Sequence, residues 1–362
     1  MKKLLSVLLS CILGLSLVAC SSSSSDDSGE KSDGGEIAMI TDIGTIDDKS
    51  FNQGTWEGIE AYAKEKNISH KYYKPTEQST DAYLASIELA VQGGAKVVVT
   101  PGYLFEEPIY IAQDKYPDVN FILIDGNPHD ADGKEYRTNK NTVGIVFAEE
   151  ESGYLAGYAA VKEGYTKLGF MGGISVPAVV RFGYGFVQGA DAAAKELGID
   201  NVDVKYHYTG GFDATPEVQT LASSWYTDGT EVIFACGGAV GNSVMSAAES
   251  IEDKKVIGVD VDQSSESDTV ITSAMKGLSS AVEQTLDQYY NNQFPGGKSL
   301  VLGAEKDGVK LPMDTSEFKK FTQDDYDKVY KDLADGKIKL QKDDVKNATD
   351  LDLSNVTVRV VK

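Results

Sequence analysis

The chain has 362 residues, of which 41% are hydrophobic and 25% are charged, as in an ordinary soluble globular protein. This length predicts one large domain or two linked domains rather than a single small core. The 56 acidic residues outnumber the 34 basic ones, and the net charge of −22 disfavours nucleic acid and phosphorylated ligands as partners.

The N-terminal segment has the pattern of an export signal. Two lysines precede an apolar run that is too short to span a bilayer comfortably but fits a signal-peptide core. The run ends at Leu17-Val-Ala-Cys20, which resembles the lipobox of bacterial lipoproteins. We therefore predict a signal peptide over residues 1–19, lipidation with palmitate at Cys20, and a flexible tether over residues 20–35. A plain secretory signal with a chance cysteine is the alternative.

From residue 36 onward, apolar strand-like runs alternate with helical patterns, which predicts parallel sheets covered on both faces. The predicted strands are Ile37–Ile40, Lys96–Thr100, Asn120–Ile124, Thr142–Phe147, Lys167–Met171, Asp203–Tyr208, Glu231–Ala235 and Lys255–Val259. The predicted helices are Trp56–Lys66, Asp81–Gln92, Glu151–Lys162, Phe182–Leu197 and Asn242–Ser250. Eight strands of this kind form either one barrel or two doubly wound sheets.

Small and acidic residues recur directly after the predicted strands: Asp42, Gly102, Asp125, Gly172, Gly238 and Asp260. In an open parallel sheet the carboxyl ends of the strands form the ligand-binding edge. A barrel also places its site at that end, so this pattern alone leaves both folds open.

The first of these loops leads into a helix. Ser50-Phe-Asn-Gln53 has the spacing of a capping box, which predicts Ser50 as N-cap and Gln53 reaching back to it. The buried face then carries Trp56, Ile59 and Ala63, and Phe51 falls outside it. An aromatic ring in that position points towards the strand ends, where it can stack on a flat ligand.

Signatures of catalysis, metal binding and cofactor binding are absent from the sequence. There is no phosphate-binding loop, and the Gly237–Gly241 turn lacks dinucleotide-binding spacing. The three histidines are scattered, so we predict neither a metal site nor a cofactor. Cys236 lies in an apolar run and is predicted to be a buried, inert thiol. The chain is therefore predicted not to be an enzyme.

Several motifs together resemble one family. They are the lipobox, TDIGTIDDKSFNQ at residues 41–53, ESGYLAG at 151–157, GFMGG at 169–173 and GVDVDQ at 258–263. In this order they are similar to the basic membrane protein family of bacterial lipoproteins, the purine nucleoside receptors of ABC transporters. The resemblance implies a type I periplasmic-binding-protein fold, with two doubly wound lobes joined by three crossings and ligand in the cleft. It places lobe one at 36–146 plus 277–297 and lobe two at 147–276 plus 298–362.

The resemblance also implies roles for individual residues. Phe51 and Phe182 would sandwich the purine, and stacking contributes about 1–3 kcal/mol per contact. The other residues of the set would bond to the ring edge or nearby groups, contact the ribose, or allow the backbone to approach the ligand closely. The implied ligand-binding set is Asp42, Ser50, Phe51, Asn52, Asp125, Phe182, Gly238, Asp260 and Lys276, with Asp260 and Lys276 on the ribose. Base preference stays open, because Gly126 stands where some members carry a second aspartate.

The leading hypothesis is a monomeric, lipid-anchored receptor on the extracytoplasmic face that binds a purine nucleoside and delivers it to an ABC permease. The first alternative is a receptor for another small metabolite, such as a sugar. Sugars without a base would then compete for the binding site. A secreted NAD-dependent oxidoreductase, a surface adhesin or a sensor also remain open. Saturable quenching of tryptophan fluorescence by NAD would favour the oxidoreductase.

Overall fold

A computed structural model describes residues 34–361 of the chain. The predicted signal peptide, Cys20 and nearly all of the predicted tether therefore lie outside the described residues. The strands are β1 (Ile37–Ile40), β2 (His70–Tyr73), β3 (Val97–Pro101), β4 (Asn120–Ile124), β5 (Thr142–Phe147), β6 (Lys167–Gly172), β7 (Val202–Tyr208), β8 (Val232–Cys236), β9 (Lys255–Asp260), β10 (Val270–Lys276), β11 (Lys298–Leu302), β12 (Val309–Lys310) and β13 (Val356–Val360). The α-helices are α1 (Phe51–Lys66), α2 (Thr80–Gln92), α3 (Glu106–Lys115), α4 (Glu149–Glu163), α5 (Pro177–Leu197), α6 (Pro216–Thr227), α7 (Val240–Glu249), α8 (Leu278–Tyr290) and α9 (Gln323–Ala334).

The strands form two separate sheets. The first has the order β11-β5-β4-β3-β1-β2 and is parallel throughout. The second has the order β12-β10-β9-β8-β6-β7-β13, and only the short β12 runs antiparallel. Helices cover these sheets, which explains why central strands such as β1 and β3 are buried along their whole length. Each sheet with its covering helices is called a lobe below, and the barrel is excluded.

The chain passes between the two sheets three times. It leaves the first sheet after β5, returns to it after β10, and leaves it again after β11. The third crossing differs from the predicted boundary at residue 298. Lys298–Leu302 pairs with β5 in the first sheet, so the chain crosses after this strand instead of before it.

Four of the longer strands, β2, β10, β11 and β13, were not predicted from the sequence. β2 and β13 are edge strands with polar or charged residues, and β11 is only partly covered. β10 is buried, but Thr272 and Ser273 interrupt its apolar run. Among residues 34–361, no helix is long and apolar enough to cross a membrane.

Helices α4 and α5 of the second lobe pack against each other at backbone distance. A Cβ atom built on Gly157 of α4 would lie 1.9 Å from the carbonyl oxygen of Phe186 in α5. A Cβ atom on Gly185 of α5 would lie 2.0 Å from the carbonyl oxygen of Glu150 in α4. Only glycine permits so close an approach. The contact sets the N-terminal turns of the two helices side by side, with Glu149 next to Arg181.

Candidate ligand-binding cleft

A cavity of about 410 Å³ lies between the two lobes, at the carboxyl ends of both sets of strands. Asp42 follows β1 and Asp125 follows β4 on one wall, while Cys236, Asp260 and Lys276 end β8, β9 and β10 on the other. This is the position at which open parallel sheets bind ligands, and the volume suits a small metabolite.

All of the predicted ligand-binding residues except Ser50 line this cavity. They are Asp42, Phe51, Asn52, Asp125, Phe182, Gly238, Asp260 and Lys276. Ser50 is fully buried behind the wall, and its hydroxyl donates a hydrogen bond of 2.6 Å to Oδ2 of Asp260. The structure therefore places Ser50 against a cavity-lining residue and not in the cavity itself.

Lys276 is the centre of a buried charge cluster. Its ammonium group donates to Oδ2 of Asp125 and lies 3.4 Å from Oε1 of Glu149 and 3.7 Å from Oδ1 of Asp260. Burial alone would lower the pKa of Lys276, but the three carboxylates raise it above its usual value. The lysine therefore stays charged, and three carboxylates share one cation.

Asp42, Asp125 and Asp260 hold their protons more strongly than usual. Burial raises the pKa of Asp125 to about 7, although Lys276 opposes the shift. Burial likewise raises the pKa of Asp42 to about 6, and that of Asp260 is also raised. Asp125 and Asp260 also have left-handed backbone angles, with φ of 59° and 67°. Such strained conformations concentrate at functional sites.

Two aromatic rings from opposite lobes border the Lys276 ammonium group. Nζ lies 4.9 Å from the ring centre of Phe51 and 5.3 Å from that of Phe182. Phe182 is 2% exposed and packs edge-on against Phe234, with ring centres 5.9 Å apart and planes at 84°. The second ring is thus held firmly by the core of its lobe.

Ser50 occupies the N-cap position of α1 as predicted, but the predicted capping box is wrong, because the side chain of Ser50 makes no capping hydrogen bond. Asp48 supplies the capping hydrogen bonds instead: its Oδ1 accepts from the backbone N–H groups of Ser50 and Gln53 at 2.9 and 3.1 Å. Its Oδ2 accepts from the backbone N–H of Asn52 at 3.0 Å. The hydroxyl of Ser50 is unavailable because it bonds to Asp260, and Gln53 reaches the backbone N–H of Lys49 instead.

Sequence reasoning missed several charged residues beside the cavity, and Arg181 and Glu149 are the most closely connected to Lys276. Arg181 lines the cavity and donates from Nε to Oε2 of Glu149 at 2.6 Å and from Nη1 to Oδ2 of Asp343 at 2.9 Å. Burial would raise the pKa of Glu149, but Lys276 and Arg181 together hold it below its usual value. The run of three glutamates at 149–151, directly after a predicted strand, was the only local signal for this residue.

The cavity wall is strongly acidic. Its basic residues are Lys74, Arg181 and Lys276, and its acidic residues are Asp42, Asp48, Glu106, Asp125, Asp213, Asp260 and Asp343. Two of the three cations are already paired with carboxylates. An anionic ligand would therefore meet net repulsion here, whereas neutral ligands with N–H or O–H donors find many acceptors.

Cys236 lines the cavity and is 2% exposed, as its apolar context predicts. Burial raises the pKa of its thiol well above the usual value, so the reactive thiolate is disfavoured. No group of His, Cys, Asp and Glu side chains among the described residues is arranged to hold a metal ion.

Comparisons with known proteins agree with this architecture. A sequence model of the family described as "Bmp: ABC transporter substrate-binding protein PnrA-like" matches residues 36–345. The chain is 31% identical over 327 residues to the "ABC transporter nucleoside-binding protein BmpA" of Lactococcus lactis, covering 84% of this chain and 88% of that protein. It is 33% identical over 304 residues to "Basic membrane protein D" of Borreliella burgdorferi, covering 83% and 84%.

The fold is shared with solved structures of solute-binding proteins. One from Aeropyrum pernix superposes with a TM-score of 0.73 at 22% identity, covering 84% of this chain and 93% of that one. One from Conexibacter woesei gives a TM-score of 0.67 at 24% identity, covering 84% and 98%. The predicted two-lobed binding-protein fold is confirmed, and so is the prediction of a non-enzyme, because the matched family consists of substrate-binding proteins. The alternative of a secreted oxidoreductase is therefore excluded. The chain belongs to the Bmp family of PnrA-like ABC transporter substrate-binding proteins.

Proposed function

We propose that this protein is a receptor that binds a purine nucleoside in the cleft and delivers it to an ABC permease. The observation that carries the proposal is the placement of Phe51 and Phe182 on opposite lobes around one ammonium group. Two such rings suit the two faces of a base, and the name of the Lactococcus relative supports this ligand class. Sugars lack the flat ring that would use both phenylalanines.

The remaining cavity residues fit the polar parts of a nucleoside. Asp260 would accept hydrogen bonds from the ribose hydroxyls, and Lys276 would donate to a ribose oxygen. Asp42, Asn52 and Asp125 would contact the base edge. Gly238, whose φ is 56°, would allow close approach of the backbone, and Ser50 would act through Asp260.

The acidic wall supports a neutral nucleoside rather than a nucleotide. A phosphate would bring further negative charge next to Asp260, Asp343 and Glu106, and no phosphate-binding loop is present in the sequence to compensate.

We further propose that Cys20 carries the lipid anchor, that the receptor is a monomer on the extracytoplasmic face, and that hinge motion about the three crossings closes the lobes. Metabolic labelling with a palmitate analogue tests the anchor. Labelling should be lost in Cys20→Ser and kept in the matched control Cys236→Ser. Retained labelling of Cys20→Ser would contradict the anchor.

Calorimetric titration of the full-length protein with guanosine, adenosine, inosine, cytidine, ribose and GMP tests the ligand. We expect purine nucleosides to bind, ribose to give no heat of binding, and GMP to bind much more weakly than guanosine. Binding of ribose without binding of any nucleoside would contradict the proposal and favour a sugar receptor on the same fold.

A further inference from the structure

Arg181 brings a guanidinium group to the cavity wall near the start of α5, and two carboxylates hold it from different sides. Glu149 is fully buried behind the wall and accepts from Nε at 2.6 Å. Asp343 lines the cavity and accepts from Nη1 at 2.9 Å. A planar guanidinium group is well suited to bind phosphate, so an arginine here without these partners would attract a phosphorylated ligand.

Asp343 reaches the cavity on a short C-terminal segment that belongs to neither sheet. The segment from Gln341 to Val345 is called the strap below, and it lies along α5. The backbone of Gln341 and the side-chain amide of Gln188 exchange two hydrogen bonds, both of 2.9 Å. The hydroxyl of Tyr184 donates to the carbonyl oxygen of Val345 at 3.1 Å. The strap is therefore attached to α5 on both sides of Asp343, which fixes its carboxylate beside Arg181.

The charge of Asp343 acts on the whole cavity. The cavity of about 410 Å³ is so small that every part of a bound ligand lies near Asp343 on the scale of salt screening, about 8 Å. A phosphate group would therefore meet this carboxylate wherever it lay in the cleft. The side chain of Asp343 is 33% exposed, whereas that of Glu149 is fully buried, so Asp343 is the partner of Arg181 that faces the ligand.

We propose that Asp343 is a specificity-determining residue that excludes phosphorylated nucleosides from the cleft. It repels a phosphate directly, and it occupies N–H donors of Arg181 that a phosphate would otherwise use. The inference rests on the proposed function and goes beyond it, because it gives the strap a role in ligand selection. If the charge of Asp343 were removed, Glu149 would still hold Arg181 at the wall through Nε.

Calorimetry of the full-length protein with guanosine, and with GMP as a competitor of guanosine, tests the selection. Asp343→Asn keeps the size of the side chain and removes its charge. We expect the ratio of GMP to guanosine dissociation constants to fall by at least about fivefold. The fall should be smaller at high salt, because screening weakens the interactions of this charge, whereas a merely structural effect would not depend on salt in this way.

The outcomes separate this inference from the proposed function. An unchanged ratio in Asp343→Asn, or a fall that high salt does not reduce, would overturn the inference while leaving the nucleoside receptor intact. Absence of guanosine binding by the unmodified protein would overturn both.

Two variants serve as matched controls. Asp344→Asn removes the same charge from an exposed neighbour that does not line the cavity, so it should leave the ratio unchanged. Tyr184→Phe removes the hydrogen bond to Val345 without changing any charge, and it should leave the ratio unchanged as well. A fall in either control as large as that in Asp343→Asn would overturn the inference, because net charge or a loosened strap would then explain the effect.

Discussion

The hydroxyl of Ser50 donates a 2.6 Å hydrogen bond to Oδ2 of Asp260, and this bond joins the start of α1 in the first lobe to the end of β9 in the second. A second bond runs beside it, from Nε2 of Gln263 to the carbonyl oxygen of Lys49 at 2.7 Å. Asp260 is thus held from the lobe opposite to its own. Its orientation depends on how the two lobes meet.

Ser50→Ala should weaken nucleoside binding and lower the free energy of unfolding by about 1.5–3 kcal/mol, because it removes a hydrogen bond to a buried carboxylate. Calorimetry and urea denaturation measure the two effects. Ser279→Ala is the control: its hydroxyl donates to the uncharged carbonyl of Gly54 at 2.8 Å, so its loss should cost about 0.5–1.5 kcal/mol and leave affinity unchanged. Unchanged affinity in Ser50→Ala would show that Asp260 is positioned without it.

Phe182→Leu should weaken guanosine binding by about 1–3 kcal/mol, because leucine fills part of the space but cannot stack on a base. Phe186→Leu, one turn further along α5, is the matched control. Phe186 is fully buried and packs on the same Phe234 at 5.3 Å, but it does not line the cavity. Calorimetry should separate the two variants, and equal losses of affinity would attribute the effect to core packing.

Asp42 and Asp125 should make the ligand-free protein more stable as the pH falls from 8 to 5.5. Their folded pKa values, about 6 and about 7, lie above the usual value of 3.8. Their contribution to folding is therefore fully present below pH 3.8 and is lost as the pH rises through 6 and 7. Urea denaturation at pH 5.5 and pH 8 measures this difference.

Asp42→Asn should reduce the difference in stability between these two pH values, since the amide does not titrate. An unchanged difference would mean that Asp42 keeps an ordinary pKa. Nucleoside affinity should change in the opposite sense and weaken at pH 5.5, because a protonated carboxyl loses part of its capacity to accept.

Gly157→Ala should destabilise the protein by at least about 1–3 kcal/mol, because a methyl group cannot fit 1.9 Å from the carbonyl oxygen of Phe186. Thermal denaturation measures the loss. Gly211→Ala is the control, since an added Cβ meets nothing within 4 Å there, and its melting temperature should match that of the unmodified protein. Equal melting temperatures for all three proteins would show that α4 and α5 separate easily.

The strands that the sequence predicted well are those in which burial dominates. β4 and β5 were predicted to the residue, because central parallel strands are continuous apolar runs. The edge strand β13 pairs with β7 through residues more than a hundred positions away, and its own composition carries no such signal. Local pattern therefore indicated the sheet centres and missed the sheet edges.

The candidate site divides in the same way. Asp42, Asp125 and Asp260 are recognisable as acidic residues after strands, and family motifs added the aromatic rings. Glu149 acquires its role only through contacts to Arg181 and Lys276, which lie far away in the sequence. The capping role of Asp48 could not be predicted, because the spacing favoured the side chain of Ser50 as the cap. In the structure the Ser50 hydroxyl donates to Asp260 instead.

The backbone contact between α4 and α5 has a mechanical consequence. α4 begins immediately after the first crossing, and α5 carries Phe182 close to its own N-terminus. Since the two helices touch through glycines, Phe182 lies beside the first turns of α4 and therefore close to the first crossing. A hinge motion at this crossing would change how the ring faces the first lobe without any rearrangement inside its own lobe.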